Sequence, residues 1–539
     1  MTNANEFGSL AEAIYKQKYS LDGREEWADT ARRVVDHVMR PYLPELADEM
    51  TQAIIDRKFL PGGRYLFAAG KQLHQTQNCL LLSVEDSREG WAGLMRRITS
   101  GLMSGAGIGV VYSKLRPKGA YINGTGGEST GPIALMQMVN ESGRHIRQGG
   151  ARRSAIWAGL HWNHPDVFEF IRLKDWPDAM KAAKEADFDA PATMDGTNIS
   201  VILDDLFFEA YQDPDHADHQ LAHDVYDETV RHMLETGEPG FSVDVGVNAG
   251  EHLRNACTEV TSRDDNDICN LGSLNLSRIE SREEMARLVE LSTAFLLCGS
   301  LYSLVPYKEV DETRTKNRRL GLGLMGVGEW YAVRGKPYAP DEDLGEWLDE
   351  YEKSGEYANH YADRLGVSRP VKTRAIAPAG TISIIAETTS GMEPMFAPAY
   401  KRRYAKGDTW VYQYVIDSAA QRLADRGIDP DSVDSAYTLA QDPAKRLRTQ
   451  AWLQTYVDHG ISSTINLPAP MEQNFTDEEF GQILMGYLPY LRGITVYPDG
   501  ARGGQPLTVV SYAEAKDWVG VEIEEVGNES ACVGGVCGI

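Results

Sequence analysis

Between about residue 61 and about residue 500, short runs of β-branched and apolar residues alternate with stretches that carry apolar residues at helical spacing. Gly107-Ile108-Gly109-Val110-Val111-Tyr112, Ile199-Ser200-Val201-Ile202-Leu203 and Gly493-Ile494-Thr495-Val496-Tyr497 read as strands, and Glu283 to Ser300 and Asp341 to Leu365 as helices. That alternation restricts the chain to an α/β body around a largely parallel sheet. Residues 1–58 differ: Ala11 to Lys16, Trp27 to Met39 and Leu43 to Ile55 have helical periodicity, broken at Asp22-Gly23 and Pro41. The turn Pro61-Gly62-Gly63 opens the body. Three regions are expected: a helical region 1–58, an α/β catalytic domain 59–512, and an acidic, weakly patterned tether 513–539.

Charge narrows the function classes. Lys+Arg 54 against Asp+Glu 79 gives a net −25, so no general affinity for nucleic-acid backbones or anionic membranes is expected. Any phosphate must be held locally, by backbone N–H groups and a few placed cations. The start, Met1-Thr2-Asn3-Ala4-Asn5-Glu6, is polar and lacks a signal peptide's apolar core, and no apolar run is expected to span a bilayer. With only six cysteines, the expected location is a reducing cytoplasm, where thiols are catalytic, metal-binding or simply buried.

Two of the six thiols sit at the C-terminus, in Cys532-Val533-Gly534-Gly535-Val536-Cys537-Gly538-Ile539. A dithiol on a flexible tether can carry electrons from an outside reductant to a site inside the same protein. No histidine lies near it to complete a zinc site, and no metal ligand set is expected. An internal thiol pair oxidised in each turnover is therefore sought upstream. Asn255-Ala256-Cys257-Thr258-Glu259 gathers an amide, a thiol and a carboxylate, which an extended segment would present on one side. Such a trio suits holding a substrate hydroxyl, sulfur chemistry and proton transfer. Cys269-Asn270-Leu271-Gly272 follows, and Asn78-Cys79-Leu80-Leu81 lies far upstream; taken singly, each cysteine also fits a buried small hydrophobe. Cys298, in the apolar stretch Thr293 to Cys298, reads as structural.

Together these segments resemble the catalytic subunit of ribonucleotide reductases, over roughly residues 55–510 plus the tail. The resemblance implies a ten-stranded α/β barrel with a central finger loop, Cys257 as the thiyl radical at its tip, and Glu259 and Asn255 acting on the ribose hydroxyls. It implies Cys79 and Cys269 as the internal reducing pair, with Asn78 beside the substrate, and Cys532 and Cys537 as the pair that restores them with thioredoxin or a similar reductant. Ala377-Pro378-Ala379-Gly380-Thr381-Ile382-Ser383 looks like the family's substrate-phosphate loop, so Pro378, Ala379, Gly380, Thr381, Ile382 and Ser383 are candidate substrate contacts. Gln148-Gly149-Gly150-Ala151-Arg152 resembles the loop through which a deoxynucleotide effector acts, and Asp86, Ser87 and Arg116 resemble effector-binding positions.

Three classes of this family differ in how the radical is made. Thr495-Val496-Tyr497-Pro498-Asp499-Gly500 carries one tyrosine where the class fed by a separate metal-containing subunit has a tandem pair, and the tail lacks a glycyl-radical motif. Leu60-Pro61-Gly62-Gly63-Arg64-Tyr65-Leu66, Ser463-Thr464-Ile465-Asn466-Leu467-Pro468 and Val496-Tyr497-Pro498-Asp499-Gly500 look like the adenosylcobalamin-dependent class. No Asp-x-His-x-x-Gly segment, the source of a cobalt-ligating histidine in other cobalamin enzymes, is present. The runner-up is a catalytic subunit that receives its radical from a metal-containing partner. The 69 positions between Cys79 and Gln148 leave no room for the insertion of monomeric relatives. A homodimer pairing helices near Trp91–Met103 and Pro132–Ser142, acting on ribonucleoside diphosphates, is expected, without an additional ATP-binding regulatory domain.

Overall fold

The computed structural model describes residues 7–148, 152–187, 190–406, 409–499 and 507–524. Its main sheet has ten strands, numbered here along the chain: β1 (Phe59–Pro61), β2 (Cys79–Ser83), β3 (Gly107–Val111), β4 (Ile156–His161), β5 (Thr197–Asp204), β6 (Gly240–Asp244), β7 (Asp267–Asn275), β8 (Leu320–Met325), β9 (Thr464–Leu467) and β10 (Gly493–Pro498). In space they run β1-β7-β2-β3-β4-β5-β6-β10-β9, and β8 also pairs with β7. Neighbours from β2 to β6 are parallel, as are β7 with β8 and β9 with β10. Antiparallel contacts join β7 to β1 and β2, and β6 to β10. Beyond β8, parallel bridges link Leu322 to Arg374 and Ile376 to Ile461. They are carried by Ala375 N–H to Leu322 O at 3.0 Å and Ser462 N–H to Ile376 O at 2.9 Å. Segment 460–462 leads directly into β9.

Period-two alternation sorts the strand residues. Leu80 and Leu82 of β2, Ile108 and Val110 of β3, and Ile199 and Val201 of β5 pack with flanking helices in one core. Cys79, Leu81, Val111, Trp157 and Ile202 point to the opposite face and pack instead against Leu253 and Val260. Those two belong to a hairpin, Leu253–Arg254 with Thr261–Ser262, that lies on this inner face. A Cβ at Gly109 would sit 1.9 Å from the Arg254 carbonyl oxygen. Only a glycine in β3 lets the hairpin approach that closely.

The N-terminal helices Ser9–Lys18, Trp27–Val38 and Pro44–Ile55 form as expected, but they do not build a core of their own. Trp27, Val34, Val35 and Met50 share one cluster with Phe295, Leu296 and Leu324 of the body. The helix Arg282–Tyr302, begun by Ser281 accepting from Glu284 N–H, runs through this cluster. By length and composition it is apolar enough to cross a membrane, and 72% of its apolar window is buried inside the molecule. The expectation that no run reaches that length fails here, because a helix packed on all sides is apolar on all sides. The stretch Asp341 to Leu365 is two helices, Glu342–Glu352 and Ser354–Leu365, rather than one.

The C-terminal boundary is also corrected. A second, four-stranded sheet runs Leu507–Val510, Ala399–Lys406, Thr409–Ile416, Glu522–Glu524. Residues 513–524 therefore belong to folded structure. Val519, Val521 and Ile523 alternate with Gly520, Glu522 and Glu524, a strand period that acidic composition concealed, and Trp518 stacks on Tyr414 with ring centroids 6.3 Å apart. Cys532 and Cys537 lie outside the described residues.

Candidate active site

The five residues Asn255 to Glu259 form the turn of the inner hairpin and are not extended. Thr258 N–H donates to Asn255 O at 3.1 Å, and Thr258 has φ +69°. The trio still comes together, by a different route. Asn255 Nδ2 donates to Glu259 Oε1 at 2.9 Å, and Asn255 Oδ1 accepts from Val260 N–H at 3.0 Å. Both side chains are buried, while Cys257 is exposed at the tip. The second carboxylate oxygen of Glu259 is buried with no hydrogen-bond partner among the described residues.

The hairpin is held from below by buried charge. Thr261 Oγ1 donates to Glu251 Oε2 at 2.8 Å, and Ser262 Oγ to Asp267 Oδ2 at 2.7 Å. Arg319 ties these carboxylates together, 2.6 Å from Asp267 and 3.4 Å from Glu251. Lys372, at the start of the phosphate-loop segment, bonds Glu251 as well; burial pulls its pKa down to about 8 against the pull of that carboxylate. The Glu259 carbonyl accepts from Gly460 N–H at 2.7 Å, fixing the hairpin to the segment before β9.

Cys79 and Cys269 stand directly opposite one another in the antiparallel register of β2 and β7. Such partners have Cβ atoms about 5 Å apart, close to the about 4 Å of a disulfide. Both are thiols here. Burial raises both well above the usual thiol value, with Glu259 adding to it at Cys79 and Asp267 at Cys269. They are held protonated, as thiols rather than thiolates. Burial likewise raises Glu259 to about 7, outweighing the Asn255 hydrogen bond that favours its charged form.

Two cavities meet at Cys257. One, of about 490 Å³, brings together Asn78, Cys79, Asn255, Cys257, Glu259 and the loop 377–382. The other, of about 610 Å³, lies against Cys257 between β4–β6, the segment 388–396 and β9–β10; Asn198, Ser200, Asn466, Thr495 and Tyr497 line it. Within the expected phosphate loop, Gly380 has φ +52° and ψ −123°, a conformation suited to glycine, and Ala379 N–H is held by Ser390 Oγ at 2.9 Å. Ser383 departs from the expectation. It lines the second cavity, and its hydroxyl donates to Gly380 O at 2.8 Å, because it sits two residues into a short helix whose first residue is Thr381. Cys269 lines neither cavity and sits behind Cys79.

The expected effector residues lie elsewhere. Arg116 Nε is 2.7 Å from Asp86 Oδ2. Ser87 caps the helix Arg88–Ser104 by accepting from Gly90 N–H at 2.9 Å. Arg147–Gln148 and Arg152–Arg153 pair as a short antiparallel ladder, whose tip, 149–151, falls outside the described residues. Among the contributors to the first cavity that escaped the sequence reading are Gln17, Lys18 and Tyr19, while Arg64 stands in a segment that was read for its class and not as a substrate-side residue. Nothing in their spacing marks them, since Tyr19 reaches the site through a contact 362 positions away, its hydroxyl 2.5 Å from Thr381 Oγ1.

A family model described as ribonucleotide reductase, barrel domain, matches residues 77–223, 217–346 and 368–497. The chain belongs to the ribonucleotide reductases. Among curated relatives, a Mycobacterium tuberculosis protein named vitamin B12-dependent ribonucleoside-diphosphate reductase is 28% identical, over 87% of this chain and 72% of its own length. A Thermoplasma acidophilum protein of the same name is 27% identical, over 84% of this chain and 65% of its own. A Mycobacterium phage D29 protein, provisionally named an adenosylcobalamin-dependent ribonucleoside-triphosphate reductase, is 26% identical over 99% of both chains. Every residue of this reductase's hairpin and of its loop 377–383 falls inside the matched spans.

Proposed function

We propose that this reductase converts ribonucleoside diphosphates to 2′-deoxyribonucleotides, as DNA precursors, through a thiyl radical on Cys257, with adenosylcobalamin as the radical source. The observation that carries this reading is the position of Cys257 as the common wall of two cavities. One side holds Cys79, with Cys269 behind it, together with Asn255 and Glu259. The other offers amides and hydroxyls from Asn198, Ser200, Asn466 and Thr495, a donor set that fits an amide-rich, uncharged macrocycle. Its carboxylates are already engaged, Glu238 with Lys174, Glu393 with Arg446, and Asp417 by accepting from Ala419 N–H at 2.8 Å. When bound, adenosylcobalamin supplies a carbon-centred radical on that side. The names of the relatives favour this class over a subunit fed by a metal-bearing partner.

On the substrate side, the Cys257 sulfur takes the 3′-hydrogen of the ribose, and Glu259 as carboxylate takes the 3′-hydroxyl proton while Asn255 holds the hydroxyls. The 2′-hydroxyl leaves as water with a proton from the Cys79/Cys269 pair. The two thiols lose two electrons and end as a disulfide, and Cys257 recovers its hydrogen. Cys257 is exposed to both cavities, so substrate and cofactor filling them would have to keep stray reductant from the radical. Cys257→Ser tests this: product formation should vanish with nucleotide binding intact, and substantial deoxynucleotide from the variant would refute the assignment.

We further infer a closed ten-stranded barrel with the hairpin as its central finger, supported by the bridges from Leu322 through Ile376 to Ile461 that lead back to β9. A homodimer through the helices Arg88–Ser104 and Gly131–His145 is supported by Met103 and Met138, exposed at 68% and 48%. A deoxynucleotide effector would act at Asp86, Ser87 and Arg116 and through Gln148–Arg152, since that ladder continues directly from the second of these helices. The cytoplasm is the fitting location for a thiol enzyme reduced by thioredoxin. Competition of a diphosphate against a triphosphate substrate decides the phosphate number, on which the relatives' names divide.

A further inference from the structure

The substrate-side cavity is electrostatically polarised. Among its lining residues the cations are Lys18 and Arg64, and the one carboxylate is Glu259. Both cations precede residue 77, where the barrel-domain match begins. Arg64 is committed to backbone, donating to Gln75 O at 3.0 Å and Ser104 O at 3.1 Å. Lys18 is exposed and makes no ion pair among the described residues, in a chain with 25 excess negative charges. Beside it, Tyr19 lies over Gly63, where a Cβ would come within 2.8 Å of the phenol oxygen, and its hydroxyl meets Thr381. The segment is tied down on both sides. Gly8 N–H donates to Glu387 Oε1 at 2.7 Å, and the Tyr15 hydroxyl bonds Thr30 Oγ1 at 2.7 Å.

Resting on the reductase reading above, we propose that the end of the first helix is a phosphate cap. Lys18 Nζ and the Tyr19 hydroxyl donate to the outer phosphate of the substrate, completing from the N-terminal region a pocket whose floor is the loop 377–382. The cap orients the nucleotide: its anionic end lies against the cations, and its ribose falls toward Asn255, Cys257 and Glu259. It also makes binding depend on the number of phosphates, since a nucleoside alone has nothing to place there.

The full chain, as wild type, Lys18→Gln and Tyr19→Phe, is tested by equilibrium dialysis with a ribonucleoside diphosphate and with the matching unphosphorylated nucleoside, beside steady-state turnover. Tyr19→Phe keeps the ring on Gly63 and removes only the hydroxyl. Loss of charge-assisted bonds to phosphate should weaken diphosphate binding about tenfold in Lys18→Gln and roughly fivefold in Tyr19→Phe, with the same rise in KM. The Lys18→Gln loss should shrink in high salt. Nucleoside binding should stay at the wild-type value. Unchanged diphosphate binding in both variants overturns the cap, and so does an equal loss for the nucleoside, which would make the segment mere scaffold. Wild-type protein that binds the diphosphate yet reduces none refutes the reductase reading alone, because the dialysis still reports on the cap.

Discussion

At Glu259 two influences oppose each other. Burial disfavours the carboxylate, the Asn255 amide favours it, and burial wins, so the group titrates at about 7 rather than at 4.5. Between those values the folded chain keeps a proton that the unfolded chain has given up. The contribution of Glu259 to stability is therefore whole below about pH 4.5 and is lost as the pH rises through 7, a change on the order of 3 kcal/mol. Glu259→Gln is permanently neutral, so its melting temperature should gain on wild type with rising pH. Its activity should respond in the opposite sense. Wild-type kcat/KM should climb through an apparent pKa near 7 as the base ionises, and the variant should be slow and flat across that range; a wild-type profile in the variant would remove Glu259 from the role of base. The coming together of this trio was legible because an amide, a thiol and a carboxylate fall within five residues. Its geometry was not, because Thr258 adopts a positive φ that a β-branched residue seldom takes and no local signal announces.

The inner hairpin owes its position to elements distant in the chain. Arg319, immediately before β8, faces both Asp267 on β7 and Glu251 at the hairpin's base, and it is 3% exposed. Arg319→Met would leave two buried carboxylates without that cation, and removing one partner of a buried network costs about 3–5 kcal/mol. The variant should melt lower in thermal unfolding. Its remaining folded fraction should turn over poorly, because the tip carrying Cys257 loses its footing. An unchanged melting temperature would show that Lys372 alone balances the pair. The strands of the main sheet were readable in sequence because their β-branched runs are short and regularly spaced. The second sheet was not: its strand Glu522–Glu524 is too short and acidic to stand out, and it exists only because Thr409–Ile416 offers an edge to pair with. The N-terminal helices were readable as helices, but their merging into the body's core was not, since periodicity shows which face is apolar and not what covers it.

For the molecule as a whole, the proposed chemistry requires the thiol pair to be reset after each cycle. The Cys79/Cys269 pair is buried, out of reach of a thioredoxin-sized protein. The folded part extends at least to Glu524 on the second sheet, which leaves eight positions from there to Cys532. Fully extended, that length spans about 28 Å, a shorter reach than a tether starting at residue 513 would allow. With Cys532 and Cys537 both changed to Ser, pre-reduced enzyme should make about one product per site and then stop with thioredoxin, while dithiothreitol restores part of the rate by diffusing in. Sustained thioredoxin-driven turnover in a quench experiment would show that the reducing equivalents enter by another path.

The tip of the hairpin also works as a bulkhead. The two chambers have Ala256, Cys257 and Pro378 as their shared lining, so whatever sits on the side of β9 and β10 and whatever sits on the side of the first helix meet at that partition. Saturating one chamber should leave the entry rate of the other's occupant unchanged, so the order of arrival in this enzyme is a matter of supply rather than of architecture.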